Sequence, residues 1–125
     1  MISILAHQLT PEQKTALGKE PIHIREIDRD LANLIADCPA SRAMLFDMAR
    51  RLVDHAMKDE DGIILAGSGS PAFTLSLGIC LGSDRDADRI RLLFAHSERV
   101  SEDQIQPDGS VRKVSIFKHV KFFEI

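Results

Sequence analysis

Residues Ile63–Ala95 read IILAGSGSPAFTLSLGICLGSDRDADRIRLLFA, and this stretch decides the fold. Ile63 to Ala66 is a short apolar run, suited to a buried strand. Gly67-Ser68-Gly69-Ser70-Pro71 is a loop, because glycine and proline punctuate regular structure. Ala72 to Leu81 follows as a largely apolar helix, and Ile90 to Ala95 as the next strand. Strand, helix and strand in that order make a parallel pair joined by a crossover.

The pattern extends toward the amino end. Ser41 caps a long helix with Met44, Leu45, Met48, Leu52, Val53 and Ala56 at helical spacing, and Glu60-Asp61-Gly62 turns the chain into Ile63. Asp28 caps a shorter helix through Ile35, ended by Pro39. Ile22 to Ile27 alternates apolar and polar and predicts a strand. Thr10-Pro11-Glu12-Gln13 starts a helix with capping-box spacing and proline at the first position; it stops near Gly18. Ile2 to Ala6 is the first apolar run. On the carboxyl side, residues 97–106 read as extended, Pro107-Asp108-Gly109-Ser110 as a turn, and Val111 to Ile125 as a final strand. The expected architecture is one domain, residues 1–125, of the α/β class. Its mostly parallel, Rossmann-like sheet carries helices on both faces and ends in a C-terminal antiparallel hairpin.

Composition bounds the function. The chain has 125 residues, 44% hydrophobic and 28% charged, with a formal net charge of −3. That fits a soluble globular protein and argues against non-specific binding to long DNA or RNA. Six Phe are the only aromatics, so an aromatic base-stacking platform is limited to them. No run approaches the ~20 apolar residues of a membrane helix, and MISILAHQL is too short and uncharged for a signal peptide, so no membrane and a cytoplasmic location are expected. Cys38 and Cys80 lie far apart and read as reduced, buried thiols.

The charge is uneven. Val111–Ile125 carries Arg112, Lys113, Lys118 and Lys121 against Glu124, a net +3, so the preceding residues sum to −6. Such concentration points to a local anionic ligand. On a strand, strict alternation gathers Lys113, Ser115, Phe117, His119 and Lys121 on one face. Val114, Ile116, Lys118, Val120 and Phe122 fall on the other, where Lys118 either snorkels to an edge or is displaced by a bulge.

Open α/β sheets bind ligands beyond the carboxyl ends of their strands. Two loops belong there: His7-Gln8-Leu9-Thr10 and Gly67-Ser68-Gly69-Ser70, each at a helix start with free N–H groups. Together they would cradle a nucleotide phosphate. Equally, Ser70-Pro71 serves as a helix cap and Gly67 and Gly69 as a tight turn, and both readings stay open. Gly67-x-Gly69-x-x-Ala72 is a weak match to the dinucleotide fingerprint, outside the first βα unit and without the following acidic residue. No Lys follows the glycines, so this is no Walker loop. His23, His55 and His96 are scattered. Asp84, Asp86 and Asp88 lack the glycine and closing glutamate of a calcium loop, so no metal site and no cofactor are expected.

The opening ISILAHQLTPEQ and the close DGSVRKVSIFKHVKFFEI resemble the two ends of a small stand-alone CRISPR-associated family. It is one of the Csx-type accessory proteins of type III systems, related to the CARF domains that sense cyclic oligoadenylates. The resemblance spans the chain, is strongest at His7-Gln8-Leu9-Thr10 and Ser115-Ile116-Phe117-Lys118-His119-Val120, and is weak in the middle. It implies a CARF-like ring nuclease that binds cyclic tetra-adenylate and cleaves it without metal to linear di-adenylate, ending type III CRISPR signalling. A homodimer with one half-site per subunit suits a ring with rotational symmetry. The resemblance implies ligand contacts from His7, Gln8, Leu9, Thr10, Gly67, Ser68, Gly69, Ser70, Lys113 and Phe117. It places His119, Ser115 and either Lys118 or Lys121 around the scissile phosphate, with His7 as the alternative proton-transfer group. Two other readings stand beside it: a sensor or sponge that uses the same cradle without turnover, and an interaction domain dimerising through its terminal strand, with Phe117 and Phe123 as interface anchors and the basic residues keeping the edge soluble.

Overall fold

A computed structural model describes residues 1–125 except Ser68 and Asp84, and without the side chains of Arg85 and Asp86. In chain order the elements are β1 (Ile2–Ser3), α1 (Pro11–Leu17), β2 (Ile22–His23), α2 (Ile24–Ile27) and α3 (Arg29–Ala36). Then come α4 (Arg42–Lys58), β3 (Ile63–Ala66), α5 (Pro71–Ser83), a 3-10 turn (Arg85–Arg89), β4 (Arg91–Ile105) and β5 (Val111–Glu124). Among the described residues the strands form one sheet in the order β2-β1-β3-β4-β5. β1 is parallel to β2 and β3, β3 is parallel to β4, and β4 and β5 are antiparallel. The α/β sheet with its C-terminal hairpin is therefore as the sequence pattern implies.

The connection β1→β2 runs one way across the sheet and β3→β4 the other. Right-handed crossovers then place α1 on one face and α3 to α5 on the opposite face. The main core lies on that second face. Ile2, Ile4, Ile64, Ala66 and Leu92 of the sheet pack there against Leu31, Leu45, Met48, Leu52, Phe73 and Leu77. The intervening residues Leu5 and Leu65 are buried on the α1 side.

Local chemistry sets the helix ends. Thr10 Oγ1 accepts the Gln13 N–H at 3.2 Å and Gln13 Oε1 accepts the Thr10 N–H at 3.0 Å, closing the capping box. Gly18 ends α1 with φ 64°, a left-handed value that glycine adopts without strain. Ser41 Oγ accepts the Met44 N–H and starts α4.

Ile22–Ile27 departs from its alternating pattern. Only Ile22 and His23 pair with β1, and the chain turns into α2 at Ile24. His23 Nδ1 accepts the Arg25 N–H at 3.0 Å, and the Asp28 N–H returns to the Ile24 carbonyl at 2.8 Å. These bonds replace a ladder that an edge strand could complete on one side only. Asp28 then caps α3 through the Leu31 N–H, and its carboxylate receives Arg51 Nη2 at 2.8 Å and faces His55 Nε2 at 2.9 Å. One carboxylate thus fastens α3 to α4.

β4 outlasts its parallel neighbour. Its pairing with β3 ends at Ala66–Phe94, while its pairing with β5 continues to Ile105–Val111. The hairpin therefore projects from the carboxyl edge as a two-stranded ribbon. Its foot is pinned by a fork of Arg91 Nε and Nη2 onto Glu124 at 2.8 and 2.7 Å. No helix among the described residues is long and apolar enough to cross a membrane.

Candidate functional site

In this strand order the crossovers move in opposite directions on the two sides of the β1–β3 pair, so the switch point lies between the loops that follow these strands. Those are the loops beginning at Ile4 and Gly67. Gly67 has φ 118°, and a Cβ built there would meet Phe94 Cδ1 at 3.8 Å and Leu5 Cδ2 at 4.0 Å. Space is adequate; the backbone angle is not. Gly67→Ala is expected to destabilise the fold by about 1–3 kcal/mol, read as a lowered midpoint in urea. Gly69 is similar, with φ 94° and a Cβ position 3.4 Å from the Ile35 carbonyl oxygen. Ser68 lies outside the described residues, and Ser70 caps the start of α5 through the Ala72 N–H.

The first loop opens onto a cleft of about 370 Å³ at the carboxyl ends of β1 and β2. His7, Gln8 and Leu9 line it with Lys14 of α1 and with His23 and Arg25. His7 is exposed, and its Nδ1 lies 3.0 Å from the Gln8 carbonyl oxygen. A carbonyl only accepts, so Nδ1 carries the proton and the Nε2 lone pair is left for a ligand. His23 is held the other way: Nδ1 accepts from Arg25, so Nε2–H donates to the Leu5 carbonyl at 2.9 Å. That ring fastens the exit of β1 to the start of α2 and shapes the cleft wall. Lys14 lies 3.7 Å from Glu20.

His23, Arg25 and Lys14 were not singled out by motif. Their signal lies in the topology: β2 pairs with β1, so its carboxyl end abuts the same loop. Thr10 is engaged in the α1 cap and is not among the cleft-lining residues.

The ribbon changes the expected grouping of the basic strand. Residues directly opposite in the ladder point to the same side. His96 pairs with Lys121 and Ser97 with His119, so Val120 is an extra residue without a partner. This bulge reverses the alternation beyond it. Lys113, Ser115, Phe117 and His119 keep a common face, joined by Phe122, whose ring lies 4.7 Å from that of His119. Lys121, expected with them, lies instead on the face of Lys118 and His96.

Reach also separates the expected residues. His119 stands opposite Ser97, only three residues past Phe94, roughly 10 Å along the ribbon. Lys113 stands opposite Asp103, nine residues past it, roughly 30 Å out. The root of the ribbon therefore rises next to the end of β3, with His119 on the α1 side, where β5 packs against α1, and Lys118 and Lys121 on the opposite face. Lys113, Ser115 and Phe117 belong to the outer ribbon. Both ring nitrogens of His119 are buried and have no hydrogen-bond partner among the described residues.

Asp84 and the side chain of Asp86 lie outside the described residues. Among the rest, no group of three or more His, Cys, Asp or Glu could hold a metal ion. Cys38 is a half-buried thiol donating to the Ile35 carbonyl.

No curated protein and no solved structure matches the chain. A family model described as the Uncharacterized protein MJ1673 family matches residues 1–123, a span that takes in the cleft, both loops and the ribbon, and the chain belongs to that family.

Proposed function

We propose that the chain is a ring nuclease that binds a cyclic oligoadenylate, cyclic tetra-adenylate foremost, and opens it to linear di-adenylate in the cytoplasm, switching off type III CRISPR signalling. One observation supports this above the others. The two terminal motifs, which lie more than 100 residues apart in sequence, both fall on the carboxyl side of one sheet, where α/β sheets take ligands, and β5 packs against α1. There the His7 cleft supplies an imidazole lone pair and the cations of Lys14 and Arg25, set beside Glu20 and Glu26.

The chemistry follows from that set. The ribose 2′-oxygen bonds to phosphorus while the bond from phosphorus to the 5′-oxygen breaks. Each cut leaves a 2′,3′-cyclic phosphate and a 5′-hydroxyl, and two cuts on opposite sides of the ring give two linear di-adenylates. His7 Nε2 accepts the 2′-hydroxyl proton, and the departing 5′-oxygen takes up a proton. Cations near the phosphate stabilise the charge that builds in the transition state. The N–H groups of Gln8 and of the Gly67–Ser70 loop position the backbone of the ring, and positioning alone lowers the barrier substantially. The step uses protons and cationic side chains that the chain itself carries.

A second reading, a sensor that holds the ring without turnover, is favoured by the shielded nitrogens of His119. Calorimetric titration with cyclic tetra-adenylate tests what both share. Saturable binding is expected, weakened about tenfold by Arg25→Ala through loss of a charge-assisted contact. No heat of binding with the unaltered protein would end both readings.

A further inference from the structure

We infer that the outer ribbon is a self-association surface, and that two copies of this chain stack their ribbons face to face about a two-fold axis parallel to the strands. A lone two-stranded hairpin is marginal in water. Here, among the described residues, the strands pair only with each other from Ala95 to Ile105, and Phe117 is open to solvent. Phe117 is 71% exposed, Val111 62% and Ile105 80%, and pairing puts all three on one face. Apolar groups gathered on one unpartnered face mark an interface.

The charges on that face select the occupant. On β4 it carries Arg99 and Asp103, and on β5 Lys113 and Phe117. A polyanion would meet Asp103, and a purely cationic partner would meet Arg99 and Lys113. A second copy meets neither difficulty. A two-fold axis along the strands lays β4 of one ribbon over β5 of the other, so each residue comes to lie over the type it already faces across its own ladder. Asp103 then covers the other copy's Lys113, Arg99 covers Phe117, and Ile105 covers Val111. Arg99 already sits 5.0 Å from the Phe117 ring centroid within one chain, which shows that the pair is compatible. Asp103 and Lys113 form no ion pair within the chain among the described residues, so both remain available. An axis across the strands would instead set β4 on β4, with Asp103 near its own copy. Sheets that pack face to face run nearly aligned, as this arrangement requires.

The arrangement points the carboxyl edges of both sheets the same way, with one cleft on each side of the paired ribbons. Only the further step, that the two clefts share one symmetric ring, rests on the ring-nuclease reading. The association itself is tested without any nucleotide.

Sedimentation equilibrium of the full chain, over about a hundredfold range of concentration, should show reversible dimers. Phe117→Glu should give monomers. Asp103→Lys alone and Lys113→Asp alone should each raise the dimer dissociation constant by about tenfold or more, through like charges in contact. Mixed in equal amounts, those two variants should recover a dimer near wild-type affinity, because only the mixed pair opposes unlike charges at both positions. That recovery also shows that each variant is folded. A wild-type chain monomeric throughout, or a dimer indifferent to all three changes, would overturn the proposal. So would a mixture no tighter than its components.

Discussion

His7→Ala should lower single-turnover cleavage of cyclic tetra-adenylate by about a hundred- to ten-thousand-fold, the range typical of a lost general base. Affinity for the ring should stay within a fewfold of wild type. His7 is exposed in the cleft, and its Nδ1 is committed to the Gln8 carbonyl, so Nε2 is the free acceptor. His119→Ala should have a much smaller effect on the rate, because both of its nitrogens are shielded. The comparison separates two imidazoles that the terminal motifs alone leave as alternatives. If His119→Ala abolishes cleavage and His7→Ala does not, the roles are reversed and the ribbon root must move to expose His119 during the reaction.

Asp28→Ala should destabilise the fold by about 3 kcal/mol, measured by urea denaturation near neutral pH. The change removes the cap of α3 and leaves the Arg51 guanidinium without its closest carboxylate. The Asp28 side chain is 17% exposed, so solvent screens these contacts only in part. Its carboxyl is held down at about 2, from an ordinary 3.8, first by the hydrogen bond with His55 and then by the Leu31 N–H and Arg51. A depressed carboxyl stabilises the folded state above its unfolded value. That contribution, about 2 kcal/mol, is complete above roughly pH 4 and is lost as pH falls toward 2. Wild-type stability should therefore drop across that window by more than that of Asp28→Ala. Parallel acid profiles for the two proteins would show that other carboxylates govern the loss.

Much of this was legible in the sequence where one residue type meets one backbone requirement. Thr10 with Gln13, Ser41 and Asp28 fixed helix starts because a side-chain oxygen must satisfy otherwise unpaired N–H groups. Strands alternating with helices implied a parallel sheet. Ile24–Ile27 escaped because its alternation fits a strand, while the decisive bond, from the Arg25 N–H to His23 Nδ1, depends on the tautomer and angle of one ring. The face assignment in the last strand failed at Lys121 for a related reason: a bulge is set by pairing across the ladder, and nothing in Val120 itself announces it. The cleft was half visible. His7, Gln8 and Leu9 follow the first strand directly, whereas Lys14, His23 and Arg25 join them only because β2 pairs beside β1. Length along a ribbon was equally hidden, which is how Lys113 and His119 came to be read as one site.

The most direct test is a chromatographic assay with a large excess of cyclic tetra-adenylate and EDTA present. The account predicts conversion to linear di-adenylate over many turnovers, passing through a product with a 2′,3′-cyclic phosphate. Ring recovered intact after prolonged incubation with folded protein would contradict it.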